Sequence, residues 1–354
     1  MSRVSVPLVR VHRSARSTET SRESVLVRVQ HASGDCGLAE CPTLSEPGYV
    51  TETTEQAWTA LRTELVPRAL RGEPCSAPSA PAASAALADA LLDARLRAAG
   101  VSLSSWLAGG GNTRRSVPWC AVLTDVAAGV GQVLREAERA LDAGAAMLKV
   151  KFADPDALTE SVVALTARFD VPVAADANGS LDPASAAGLD GLGLVYVEQP
   201  LPHAVALDDL AALCGQMVTP VCLDESLDSV GALTRALQAG ALDVASLKPA
   251  RLGGVEAAAG AAALCGDAGV QCFVGGMFEL GVGRAAALAL ASLPGCTLPT
   301  DLGPSGRYFV RDVCEPLRTD ALGCVQVPRG AGVGRDLDDE VVAAHLVERV
   351  VLEA

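Results

Sequence analysis

From residue 117 onward, short apolar runs alternate with longer Ala- and Leu-rich stretches: WCAVL, MLKVK, VPVAAD, LVYVE, PVCLDE, DVASLK and QCFVGG. Runs of this length, separated by stretches long enough for a helix, predict buried parallel strands joined by helices. The residues that end the later runs are Lys151, Asp176, Glu198, Asp224, Lys248 and Gly275, at successive spacings of 25, 22, 26, 24 and 27. One strand and one helix fit each step. A last run near 296–301 completes the set expected of a (β/α) barrel, whose strand ends converge on one mouth. The first hundred residues differ. LVRV, SVLVRVQ and GDCGLAEC suggest antiparallel strands, followed by a helical stretch over about 52–70. A Pro-, Ala- and Ser-rich connector at 71–84 leads into the helix containing LADALLDARLRAAG. After Tyr308 the pattern returns to short strands and a final amphipathic helix near 338–353, placed to pack back on the N-terminal region.

Composition narrows the setting. At 354 residues, a barrel with an appended α+β region uses the whole length. Eleven cysteines are scattered without a CxxC pair, so neither a disulfide framework nor a zinc site is indicated, and a reducing cytoplasm is the expected location. No 18-residue apolar stretch and no leader-like segment stand in the chain, which argues against a membrane span. A net charge of −14 argues against nucleic acid as a partner. A small molecule is the expected partner, with further copies of the chain forming a homo-oligomer.

Of 28 basic residues only Lys149, Lys151 and Lys248 are lysines. Arginine stays protonated, whereas a lysine ammonium can be tuned into a base. On composition alone, chemistry and a chance remnant of biased usage both explain the three. Position favours chemistry. Residues two apart on a strand share a face about 6.6 Å apart, so Lys149 and Lys151 both point into the barrel, and their repulsion with burial is expected to lower the pKa of at least one. Asp176, Glu198 and Asp224 end three successive strands. Any one of them is also explained as a helix N-cap, but three in register call for a hard, oxygen-ligated dication, Mg²⁺ or Mn²⁺. Glu225 should point away, and Asn178 should support the ligands. Lys248 ends a strand across the barrel from Lys151, so a metal-bound carboxylate would have its α-carbon between two amines. A Schiff-base lysine is the rival chemistry, but it has no need of three carboxylates.

These residues resemble the muconate-lactonizing subgroup of the enolase superfamily, and within it the N-succinylamino acid racemase/o-succinylbenzoate synthase family. Lys149-Val150-Lys151 is similar to its KxK motif, Asp176-Ala177-Asn178, Glu198-Gln199-Pro200 and Asp224-Glu225-Ser226 to its ligand segments, and SLKPARLGG around Lys248 to its opposite base. GGMFELGVGR from Gly275 and Ser305-Gly306-Arg307-Tyr308-Phe309 extend the likeness over about 85–335. The resemblance implies an α/β fold, a modified (β/α)7β TIM-type barrel over 111–309, under an α+β capping domain of residues 1–110 completed by 310–354. It implies Mg²⁺ (or Mn²⁺) on Asp176, Glu198 and Asp224, with Lys151 and Lys248 as the acid/base pair. Lys149, Asn178, Arg251 and Glu279 would support them, and Gly276 and Met277 would meet the substrate. The implied activity is racemisation of an N-acyl (N-succinyl) amino acid, towards which Arg251 tilts the reading. The alternative is o-succinylbenzoate synthase, a syn dehydration in menaquinone biosynthesis. Three positions depart from the family: Ser14-Ala15-Arg16-Ser17 stands where an aromatic loop is usual, leaving Arg16 to bind an acidic substrate tail, and Leu280 and Leu92 replace a small hydroxyl residue and a Trp. No Asp-x-Asp segment of the dipeptide epimerases stands around Gly275.

Overall fold

The computed structural model describes residues 1–13, 18–30, 34, 36–46, 51–124, 126–152 and 154–353. Arg16 lies outside the described residues. In chain order the strands are β1 (Ser2–Arg13), β2 (Thr18–Gln30), β3 (Cys36–Cys41), β4 (Ser116–Val117), β5 (Cys120–Leu123), β6 (Met147–Lys151) and β7 (Val173–Asp176). They continue with β8 (Val197–Glu198), β9 (Val221–Leu223), β10 (Val244–Leu247), β11 (Gln271–Val274), β12 (Val325–Gln326) and β13 (Leu346–Arg349).

Strands β5 to β11 form one parallel sheet in sequence order, so each strand lies beside its successor. The segment 297–301 takes the eighth place. The amides of Thr297 and Asp301 donate to the carbonyls of Cys272 and Val274 on β11, while Thr300 pairs with Pro118 and Cys120 beside and on β5. The two edges of the curled sheet are thereby joined. Side chains alternate as a pleated strand requires: Cys120, Met147, Ala174, Tyr196, Cys222, Val244 and Phe273 form the inner cluster, while Leu148, Val150, Ala175, Leu223 and Cys272 face the outer helices. Stepping two residues along from the inner set reaches Lys149, Asp176, Glu198, Asp224 and Gly275, all on the mouth side.

The outer helices start and stop where local chemistry dictates. Pro155–Arg168 begins with Pro at its first turn and Asp154 accepting from the Asp156 amide. Val230–Ala239 begins at Ser229, whose hydroxyl accepts from Ala232 N, and ends at Gly240 in the left-handed region.

The N-terminal strands form a separate antiparallel sheet in the order β13-β1-β2-β3. Val25, Val27, Ala39 and Cys41 pack on the helical stretch 54–70 and on the helix Pro81–Ala99. From the other face, Val4, Val6, Leu26 and Leu38 pack on Leu280, Val282 and Phe309 of the barrel side. Gly37 allows the helix to lie directly on β3, because a Cβ there would stand 2.0 Å from the Ala90 carbonyl oxygen. Two sequence expectations need correction. The connector ends at Ala80, where Pro81 opens the helix. The expected helix over 338–353 covers only Asp339–Ala344, and β13 follows it. The run Leu-Val-Glu-Arg-Val-Val suits a strand, and it finds the open edge of β1, pairing Ser2 with Arg349. Among the described residues no helix is long and apolar enough to cross a membrane, and all eleven cysteines are free thiols.

Glu40 on β3 ties this sheet to the barrel, accepting from the Leu280 amide at 2.9 Å, the Gly283 amide at 3.1 Å and the Ser24 hydroxyl at 2.7 Å. Burial pushes its carboxyl up to about 7, against the lowering effect of these donors. A carboxyl raised above its unfolded value near 4.5 binds its proton more tightly in the folded chain. Its favourable contribution is therefore complete below about pH 4.5 and is lost as pH rises through 7, a swing of about 3 kcal/mol. Denaturant unfolding at several pH values checks this: Glu40→Gln should flatten the decline between pH 4.5 and 7, and an unchanged slope would assign the titration elsewhere.

Candidate active site

The mouth of the barrel holds a cavity of about 510 Å³, and all three lysines of the chain line it. Lys149, on β6, is 2% exposed and donates to Glu198 Oε2 at 2.6 Å and to Asp301 Oδ2 at 2.7 Å. Burial works against its charge, but the two carboxylates outweigh burial and raise its pKa well above the ordinary value. Its neighbour Lys151 stands at the end of β6 with Nζ 3.7 Å from Asp176 Oδ2. Lys248 follows β10, four strands along the sheet from β6, and donates to Asp224 Oδ2 at 2.8 Å. Its pKa is also raised: burial opposes the charge, and Asp224 more than restores it. Lys149 and Lys248 are thus held as ammonium ions, so the lowering expected of at least one of Lys149 and Lys151 does not fall on Lys149. The carboxylates responsible come from other strands, invisible to a reading of the KxK segment alone.

The three acids stand side by side on β7, at the end of β8 and just after β9, with Asp176 in register with Glu198. Burial pushes Glu198 up to about 8; Lys149 opposes the rise, and the charges of Asp176 and Asp224 add to it. Asp224 is also buried, but Arg251 and Lys248 on its two oxygens hold it well below the usual carboxylate range. Asn178, at a positive φ of 45°, donates its amide N–H to Asp176 Oδ1 at 3.0 Å and its side-chain amide to Glu225 Oε1 at 3.0 Å. Glu225 consequently lies beside the acids instead of facing away. It sits beyond the end of β9, where strand alternation no longer applies, and burial and the neighbouring acids raise its pKa. As placed, each acid is turned to a cation, and among the described residues no three Asp, Glu, His or Cys side chains already converge as a metal cage.

Gly275 meets Lys248 directly: a Cβ there would stand 2.8 Å from Lys248 Cε. Gly276, Met277, Phe278 and Glu279 continue along the cavity wall. Glu279 is 4% exposed, and its Oε2 has no hydrogen-bond partner.

The chain matches the enolase C-terminal domain-like family over residues 132–341. It belongs to that family. The enolase-family chain is 36% identical to an N-succinylamino acid racemase of Amycolatopsis sp over 98% of its own length and 97% of the relative's. It is 34% identical to an o-succinylbenzoate synthase of Geobacillus stearothermophilus, covering 92% and 88% of the two chains. The solved structure of a probable mandelate racemase from Alicyclobacillus acidocaldarius superposes on it with a TM-score of 0.91 at 35% identity, over 98% and 95% of the two chains.

Several cavity residues of this enolase-family chain escape a sequence reading. Asp301, the second carboxylate on Lys149, could have been found because it closes the expected eighth run. Arg284 is 2% exposed, donates to the carbonyls of Gly303 and Glu279, and lies with its guanidinium carbon 4.0 Å from the centre of the Tyr308 ring. It ends the GGMFELGVGR segment, but that likeness assigned it no role. Two family departures lose their link to substrate: Leu280 is buried against Val6 and Phe309, and Leu92 against Leu96 and Val255.

Proposed function

We propose that this chain is a divalent-metal-dependent enzyme that removes the α-proton of a carboxylate substrate, acting as an N-acyl (N-succinyl) amino acid racemase. One observation carries the reading: Lys151 and Lys248 flank a single cavity from opposite strands, with three acid-bearing strand ends between them. The donor set of Asp176, Glu198 and Asp224 fits Mg²⁺ or Mn²⁺. It is all oxygen, buried and contiguous, and burial, with the charges of Asp176 and Asp224 adding to it, already drives Glu198 towards protonation. Bound there, the ion supplies positive charge to a substrate carboxylate as negative charge develops at the α-carbon. Lys151 takes or returns a proton on one face of that carbon and Lys248 on the other. Lys149 stays an ammonium between Glu198 and Asp301, and Arg251 keeps Asp224 ionised.

In this proposal residues 111–309 form the (β/α)7β catalytic barrel, and 1–110 with 310–354 form the cap. The free thiols support a cytoplasmic location, and we expect a homo-oligomer. The relatives named o-succinylbenzoate synthase support a second activity at the same site, the syn dehydration of menaquinone biosynthesis. In that reaction Lys151 would make both proton transfers, and Lys248 would act as a fixed cation. Proton NMR in D₂O with Mg²⁺ tests both. Loss of the α-proton signal from N-succinyl-L- and D-amino acids, with racemisation, is the expected result. Dehydration alone would move the chain to the synthase reaction, and silence in both assays would overturn the substrate assignment.

A further inference from the structure

Arg22, on β2, is 1% exposed and far from the lysines in sequence. Its guanidinium makes five hydrogen bonds, all to backbone carbonyls: Phe278 at 3.0 Å and Met277 at 3.3 Å on the barrel side, and Glu23, Thr43 and Pro42 at 2.7 Å each on its own side. Five donors in a fixed fork are thereby all engaged. Phe278 needs such restraint, because its φ of 56° lies in the left-handed region that L residues avoid. Glu40, on the same face of the sheet, takes the amides of Leu280 and Gly283 just beyond. The loop is therefore gripped by a donor fork at its carbonyls and a carboxyl at its amides. Its near end, Gly275, packs on the Lys248 side chain, and Met277 and Phe278 wall the cavity.

We propose that Arg22 is a positioning residue that sets the 275–280 loop and, through it, the placement of Lys248 and the adjoining substrate wall. The proposal of unequal effects on the two bases rests on the racemase reading above; the grip itself does not. Two measurements on the full chain separate them. Hydrogen exchange of the metal-loaded enzyme without substrate should show faster exchange at the Leu280 and Gly283 amides in Arg22→Met, by about tenfold or more, with the β6 and β7 amides unchanged. In D₂O with Mg²⁺ and N-succinyl amino acids, the same variant should slow exchange of the enantiomer served by Lys248 by about tenfold, while the other changes less than about twofold. That enantiomer is the one whose exchange Lys248→Ala abolishes. Arg22→Lys, which offers three donors, should be intermediate in both, and it carries the test if Arg22→Met does not fold. Unchanged loop exchange, or exchange accelerated equally throughout the barrel, would overturn the proposal. Equal slowing of both enantiomers would overturn its link to Lys248. Absence of substrate exchange in the unsubstituted enzyme would count against the racemase reading alone, with the amide measurement still deciding the grip.

Discussion

Lys151→Ala is expected to reduce turnover by about 10³-fold or more, whether turnover is read as racemisation or as dehydration, because a positioned base contributes on that order to proton transfer. Both reactions need a base at this strand end. The substitution should leave the fold intact: Lys151 is at the rim, and its contact with Asp176 is long at 3.7 Å, so little of the core depends on it. Far-UV circular dichroism and the unfolding midpoint check that side, and NMR in D₂O reads the turnover. A folded Lys151→Ala enzyme that still racemised or dehydrated its substrate would remove Lys151 from the role of base.

Lys248→Ala is expected to separate the two activities. In a two-base racemase, removal of one amine leaves the other able to exchange the α-proton of a single enantiomer, so racemisation stops while one-sided exchange continues. In the synthase reaction Lys248 only supplies charge, and its loss should suppress dehydration with no enantiomer-specific remnant. This variant also perturbs the site more than the first, because Asp224 is buried and holds Lys248 on one oxygen and Arg251 on the other. Arg251 remains as its partner, so Asp224 is not left as an isolated buried charge, the costly case for a broken ion pair. Full two-sided exchange in Lys248→Ala would exclude it as the second base.

The barrel was legible because its information is local. A strand end recurs about every 25 residues, and each apolar run marks its own element, so Lys151, Asp176, Glu198, Asp224 and Lys248 all fall where the spacing puts them. What escaped depends on partners distant in the chain. The charge state of Lys149 follows from Glu198 and Asp301, 49 and 152 residues away. Arg22 meets Phe278 across 256 residues, and no periodicity marks either as half of a pair. The segment after His345 read as helix because its polar and apolar residues suit either period, and the vacant edge of β1 decides the matter. Extending strand alternation two residues past the end of β9 misplaces Glu225.

The scarcity of lysine turns the cavity into a natural spectroscopic window. Apart from the α-amino group, the only primary amines in the protein are the three that line it. Reductive ¹³C-methylation would therefore label only these three amines and the α-amino group, and the three lysine resonances would report the ionisation of the site directly. A protease that cuts only after lysine would meet its targets solely at the barrel mouth, two of them buried, so its rate of cleavage would measure how often the barrel itself comes open.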